Sequence, residues 1–178
     1  AAQRDIPDGL VYLPPRLPQN PEEGAVFPVD KPKGKTSFDV VKAVRRAVGV
    51  KKVGHAGTLD PMATGLLIVL VARPATRLKD AFMHRPKTYT GTLRLGETTP
   101  SHDAETDVTE RNSTDHLTEE EIAGACKSFV GTIHQVPPMY SAVKVEGERL
   151  YKKARRGETV DRSPRQVTIH RFEITNRD

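Results

Sequence analysis

Six consecutive apolar residues, Leu66-Leu67-Ile68-Val69-Leu70-Val71, form the longest hydrophobic run that bears on the fold. Its length and the turn residues that bound it predict a buried strand. Upstream, Phe38, Val41, Val44 and Val48 recur at helical spacing. That helix is expected to start after Thr36 or Ser37, either a good N-cap, and to close at Gly49. Lys42, Arg45 and Arg46 fall on its wetter face. Downstream, Lys87 to Leu95 alternates, with Tyr89, Gly91, Leu93 and Leu95 on one face and Thr90, Thr92 and Arg94 on the other, so a strand is expected. Residues 98–115 read as a polar loop. Thr118-Glu119-Glu120-Glu121 is a capping box opening a helix through about Phe129, with Ile122, Cys126 and Phe129 inward and Gly131 able to end it. A strand over 139–145, a short helix over 149–156 and an alternating strand over 167–175 follow. Strands and helices mixed without a regular βαβ repeat indicate the α+β class.

Composition sharpens this picture at three points. The first 28 of 178 residues hold six prolines, which excludes helix and discourages a central strand, so residues 1–25 are read as an extended arm and 26–178 as one domain. The formal charge is only +5, but it is segregated. Residues 31–53 carry eight Lys or Arg and one acid, residues 144–171 nine against four, and residues 97–121 nine acids against one base. Two basic segments flanking an acidic one suit a polyanion such as a phosphate backbone, or else solvated helix and loop faces. Cys126 is the only cysteine, so no intrachain disulfide forms, and a reducing compartment fits. No apolar run approaches the ~20 residues of a membrane-spanning helix.

Candidate chemistry centres on Asp60. It lies in Gly54-His55-Ala56-Gly57-Thr58-Leu59-Asp60-Pro61-Met62-Ala63-Thr64-Gly65, a loop rich in Gly and Thr that leads directly into the buried strand. A loop anchored to a strand can aim one side chain, although an Asp-Pro between glycines also fits an ordinary turn. Two other motifs carry less. Gly34-Lys35-Thr36-Ser37 resembles the end of a phosphate-binding loop, but that motif needs glycine where Val29 stands. His102, Asp103 and Asp107 lack a second His at ligand spacing, so no metal is expected there.

Gly54 to Leu67 resembles the signature of the TruB family of tRNA pseudouridine synthases. Asp30-Lys31-Pro32-x-Gly34 upstream, Lys87-Thr88-Tyr89, and Val136-Pro137-Pro138-Met139-Tyr140-Ser141-Ala142-Val143-Lys144 add to the likeness, which covers about residues 25–175. The resemblance implies a mixed, mainly antiparallel sheet flanked by helices, incomplete at the C-terminus. It implies Asp60 as nucleophile, Tyr89 as a ring stacked on the target uracil, and His55 against the RNA loop. Lys31, Lys87, Lys144, Arg155 and Arg156 become candidate phosphate contacts. The implied partner is the T-arm of tRNA, bound by a monomer in the bacterial cytoplasm or in an organelle of bacterial ancestry. An ionised carboxylate performs this chemistry without any cofactor. The resemblance favours the stand-alone branch over the guide-RNA type. It also implies a later strand whose Arg pairs with the aspartate; the chain is therefore expected to be a fragment. The alternatives are a module that holds or folds tRNA without chemistry, and a guide-RNA-type relative acting on other RNAs.

Overall fold

A computed structural model describes residues 11–12, 20–141, 143–145 and 147–176. They form two compact units, one up to Thr90 and one from Gly91.

The first unit contains β1 (Val11–Tyr12), a 3-10 turn at Pro21–Glu23, β2 (Ala25–Lys31), α1 (Ser37–Val48), β3 (Val53–Ala56), β4 (Gly65–Val71), α2 (Ala72–Thr76) and α3 (Lys79–Met83). Its sheet runs β1-β2-β4-β3, antiparallel throughout. The apolar run is β4, central in that sheet. Its register with β2 extends from Ala25 opposite Val71 to Lys31 opposite Gly65. Residues alternate faces along a strand. Leu67, Val69 and Val71 therefore join Phe27, Val29, Val40, Val41 and Val53 in one core under α1, while Leu70 packs with Ala56 and Ala75 on the other face. Each such valine, fully buried, contributes about 1.5–3 kcal/mol.

Helix α1 is capped as its sequence demands. The Asp39 amide donates to Thr36 Oγ1 and the Thr36 amide to Asp39 Oδ2, both at 3.1 Å, and Gly49 ends the helix in a left-handed conformation. The buried stripe is rotated from the expected one. Ser37, Val40, Val41 and Ala43 face inward, Val44 and Val48 pack at the margin, and Phe38 is 53% exposed.

The second unit contains β5 (Glu97–Thr98), β6 (Glu110–Arg111), α4 (Glu119–Ser128), β7 (Gly131–Gln135), β8 (Lys144–Val145), β9 (Glu148–Arg149), α5 (Leu150–Arg155) and β10 (Arg165–Ile169). Its strands pair as three antiparallel ribbons, β5 with β6, β8 with β9, and β7 with β10. Leu150 is fully buried at the start of α5, whereas Phe129 leaves α4 half exposed and meets the Phe172 ring at 6.3 Å. The mixed α+β architecture with antiparallel sheets matches the class read from the sequence.

Four expectations need correction. Ala25, assigned to the arm, opens β2, a strand that runs on through Pro28. Pro28 is tolerated because β1 pairs only opposite Val29 and Asp30, so among the described residues Pro28 has a partner strand on one side alone. Residues 87–94 are not in a strand, since alternation assigns faces but only a partner backbone makes a strand, and none is present among the described residues. The strand expected over 139–145 is confined to β8, and that over 167–175 begins at Arg165 and ends at Ile169. Strands β1, β2, β3, β5, β6, β7 and β9 and helices α2 and α3 were not foreseen; β3 takes up the start of the expected Asp60 loop, and β6 lies within the expected polar loop.

Helix α4 carries an acid-sensitive cap. The Thr118 amide and hydroxyl hold the Glu121 carboxyl below its ordinary 4.5. A carboxylate depressed on folding stabilises above its unfolded pKa, and that contribution is lost as pH falls through the folded value. Amide exchange in the first turn of α4 should therefore show an extra acceleration below pH 4.5, relative to intrinsic exchange. Glu121→Gln, which accepts hydrogen bonds without titrating, should remove that pH dependence.

Candidate active site

Asp60 projects from the loop between β3 and β4, in the first unit. Its side chain is exposed, and among the described residues no hydrogen bond occupies its carboxylate. The main chain on either side is held firmly. Before it, Ser37 Oγ donates to the Leu59 carbonyl at 3.1 Å and accepts from the Leu59 amide at 3.0 Å, so one hydroxyl clamps both polar groups of that residue. After it, the Pro61 carbonyl accepts from the Gly34 amide at 2.7 Å and from Lys31 Nζ at 3.3 Å. The Ala63 amide closes the turn onto the Asp60 carbonyl at 3.1 Å. Gly57 and Gly65, both at positive φ, let the chain leave β3 and enter β4 sharply.

Lys31 follows from the register of β2. Phe27 and Val29 point into the core under α1, and Lys31 is the next residue on that face, with no exposed surface. Its three N–H bonds satisfy the carbonyls of Pro32 (3.0 Å), Lys35 (2.7 Å) and Pro61. Burial pushes its ammonium below the ordinary 10.5, and the charge of Asp60 opposes that shift. Lys31 thus ties the β2–α1 turn to the Asp60 loop. The phosphate contact expected of it does not fit a fully buried ammonium with every donor engaged. Its neighbours Lys33 and Lys35, unnoticed as site residues, are the exposed cations of that turn.

His55 lies on β3 with its Nδ1 hydrogen-bonded to the Gly57 carbonyl. A carbonyl only accepts, so Nδ1 carries the proton and Nε2 is left for another partner. Tyr89 is 72% exposed in the irregular segment after α3, and among the described residues no hydrogen bond joins it to Asp60. Lys87 donates to the Met83 and Arg85 carbonyls at 2.6 and 3.0 Å, closing the end of α3.

In the second unit, Arg156 is not a free cation. It binds both carboxylate oxygens of Glu148 at 2.8 and 2.9 Å and reaches Glu158 at 2.6 Å. Glu148 first and then Glu158 push its pKa still higher, and a phosphate would have to displace them. The side chains of Lys144 and Arg155 lie outside the described residues. Ser37 went unrecognised as a site residue because its partner is 22 positions away and no local pattern marks it.

A family model described as TruB family pseudouridylate synthase (N terminal domain) matches residues 45–178. The chain belongs to the TruB family. A tRNA pseudouridine synthase B from Thermobifida fusca is 52% identical over 153 residues, covering 86% of this chain and 52% of that protein. Its counterpart from Opitutus terrae is 47% identical over 154 residues, covering 86% of this chain and 64% of its own length. The chain thus spans about half to two thirds of these relatives. A crystal structure of a Cbf5-Nop10-Gar1 complex is similar over 89% of this chain and 37% of its own, at TM-score 0.55 and 25% identity. Within this TruB-family chain, the loop carrying Asp60 is the most firmly braced part of the candidate site.

Proposed function

We propose that the protein carrying this chain is a tRNA pseudouridine synthase acting on the T-loop uridine, with Asp60 as the nucleophile. The observation that carries the reading is an exposed, uncommitted carboxylate on a loop whose main chain is fixed before and after it, in a chain about half identical to relatives named for this activity. A nucleophile must be open to the reacting carbon yet held in one geometry, and this loop meets both demands.

In the reaction, Asp60 attacks the ribose carbon or stabilises it as the N-glycosidic bond breaks. The freed uracil turns, its C5 bonds to the sugar carbon as any ester bond to Asp60 breaks, and the proton lost from C5 is balanced by one gained at N1. His55, through Nε2, supports the extruded nucleotide, since a stacked base is out of reach. Tyr89 stacks on the uracil from an exposed, irregular segment. Such a substrate implies the cytoplasm as the place of action.

The deciding experiment measures pseudouridine formation on a T-arm stem–loop by the 178-residue chain and by the full-length gene product. Product in the full-length reaction supports the reading, whereas stoichiometric binding with no product would leave an RNA-holding module instead. Binding should also weaken with salt. Three phosphate contacts predict a loss of roughly 20–40-fold between 50 and 200 mM. Affinity indifferent to salt would remove the basic segments from the interface.

A further inference from the structure

An aromatic ring stands on the surface one residue from the clamp that holds the Asp60 loop. Phe38 follows Ser37, is 53% exposed, and lies in the first turn of α1. The chain has five phenylalanines and no tryptophan, so an outward ring in a well-capped helix is not surplus from a crowded core. Lys42 Nζ sits 4.9 Å from its centroid. Arg46 is exposed four residues further on, so Phe38, Lys42 and Arg46 form one outward ridge with steps of about 6 Å. Exposed Lys33 and Lys35 lie in the turn just before it. Asp39, the one acid of this segment, is drawn into the helix cap by Thr36, with Lys42 3.6 Å away.

We propose that Phe38 is a stacking platform for an unpaired base of the RNA beside the reacting uridine, with Lys42 and Arg46 taking the adjoining phosphates. An aromatic face among cations matches single-stranded nucleic acid, whose bases stack and whose phosphates pair. The placement follows from the Ser37–Leu59 clamp, which joins the first turn of α1 to the loop bearing Asp60. This inference rests on the RNA substrate proposed above and adds the contact that seats it.

The test compares wild type, Phe38→Leu and Phe38→Trp in the full-length protein. It measures affinity for a T-arm stem–loop, KM and kcat for pseudouridine formation, and thermal unfolding. Phe38→Leu keeps apolar bulk but loses the π-face. It should weaken binding about tenfold and raise KM similarly, with kcat within twofold and Tm unchanged. Phe38→Trp should bind as tightly as wild type or more so. Wild-type affinity in Phe38→Leu would overturn the inference, as would a lowered Tm with normal affinity, which would mean the ring packs against protein. If wild type itself fails to bind the stem–loop, the RNA reading falls and this inference with it. If wild type binds and only the Phe38 result fails, the function stands and the platform does not.

Discussion

Asp60→Asn should reduce pseudouridine formation on a T-arm stem–loop by at least about 10³-fold while leaving RNA affinity within about twofold. The substitution keeps shape and polarity but removes the negative charge and the nucleophilic oxygen. Within the fold the Asp60 charge favours the buried Lys31 ammonium, which keeps its three carbonyl partners without it. The carboxylate is exposed, and the loop is held by the main chain of Leu59, Pro61 and Ala63 rather than by the Asp60 side chain. Thermal stability should therefore stay within about 0.5 kcal/mol of wild type, as for other surface substitutions away from special features. Single-turnover rate, equilibrium binding and thermal unfolding together give the answer. Surviving activity with collapsed affinity would make Asp60 an RNA contact and send the search for a nucleophile elsewhere.

Lys31→Met should behave in the opposite way. It removes the donor to three carbonyls, and bonds to a charged donor contribute about 1.5–3 kcal/mol each. The gain is partly offset, because burial already disfavours the ammonium. A net loss of about 3 kcal/mol is expected, read as a lower midpoint in urea. With Pro61 released on one side, Asp60 loses its aim, and displacement of about 1 Å costs on the order of 10²-fold in rate. The signature is a fall in kcat at nearly constant RNA affinity, because Lys31 has no surface to offer a phosphate. Lys31→Arg should not rescue, since a planar fork cannot aim at three carbonyls around one nitrogen. Unchanged stability with weaker, salt-dependent binding would return Lys31 to the phosphate contacts.

What could be read from the chain was local. An N-cap at Thr36 or Ser37 and a capping box at Thr118 placed helix starts because cap partners lie within four residues. The apolar run announced β4 because a strand covered on both faces needs no alternation. Asp60 stood out through the residues around it. What could not be read was set by distant partners. The charge of Lys31 suggests surface, and only the register of β2 behind Phe27 and Val29 turns it inward. Ser37 looked like a cap, while its hydroxyl serves a residue on another element. Phe38 fitted the apolar stripe of α1, but the sheet lies against a neighbouring stripe. Residues 87–94 carry a strand pattern without a partner among the described residues, and β7 was hidden behind a glycine that reads equally well as the end of α4.

The brace around Asp60 grips only backbone. Lys31 reaches the carbonyls of Pro32, Lys35 and Pro61, and Ser37 the amide and carbonyl of Leu59. Every residue type presents a carbonyl, so the grip is blind to the side chains it holds. The loop can therefore exchange its outward side chains, Thr58 and Thr64 among them, without loosening the aspartate. On the function proposed above, aim and selectivity are mechanically separate, and a library varying those positions would retune which RNA is accepted while the Asp60 carboxylate stays where it is.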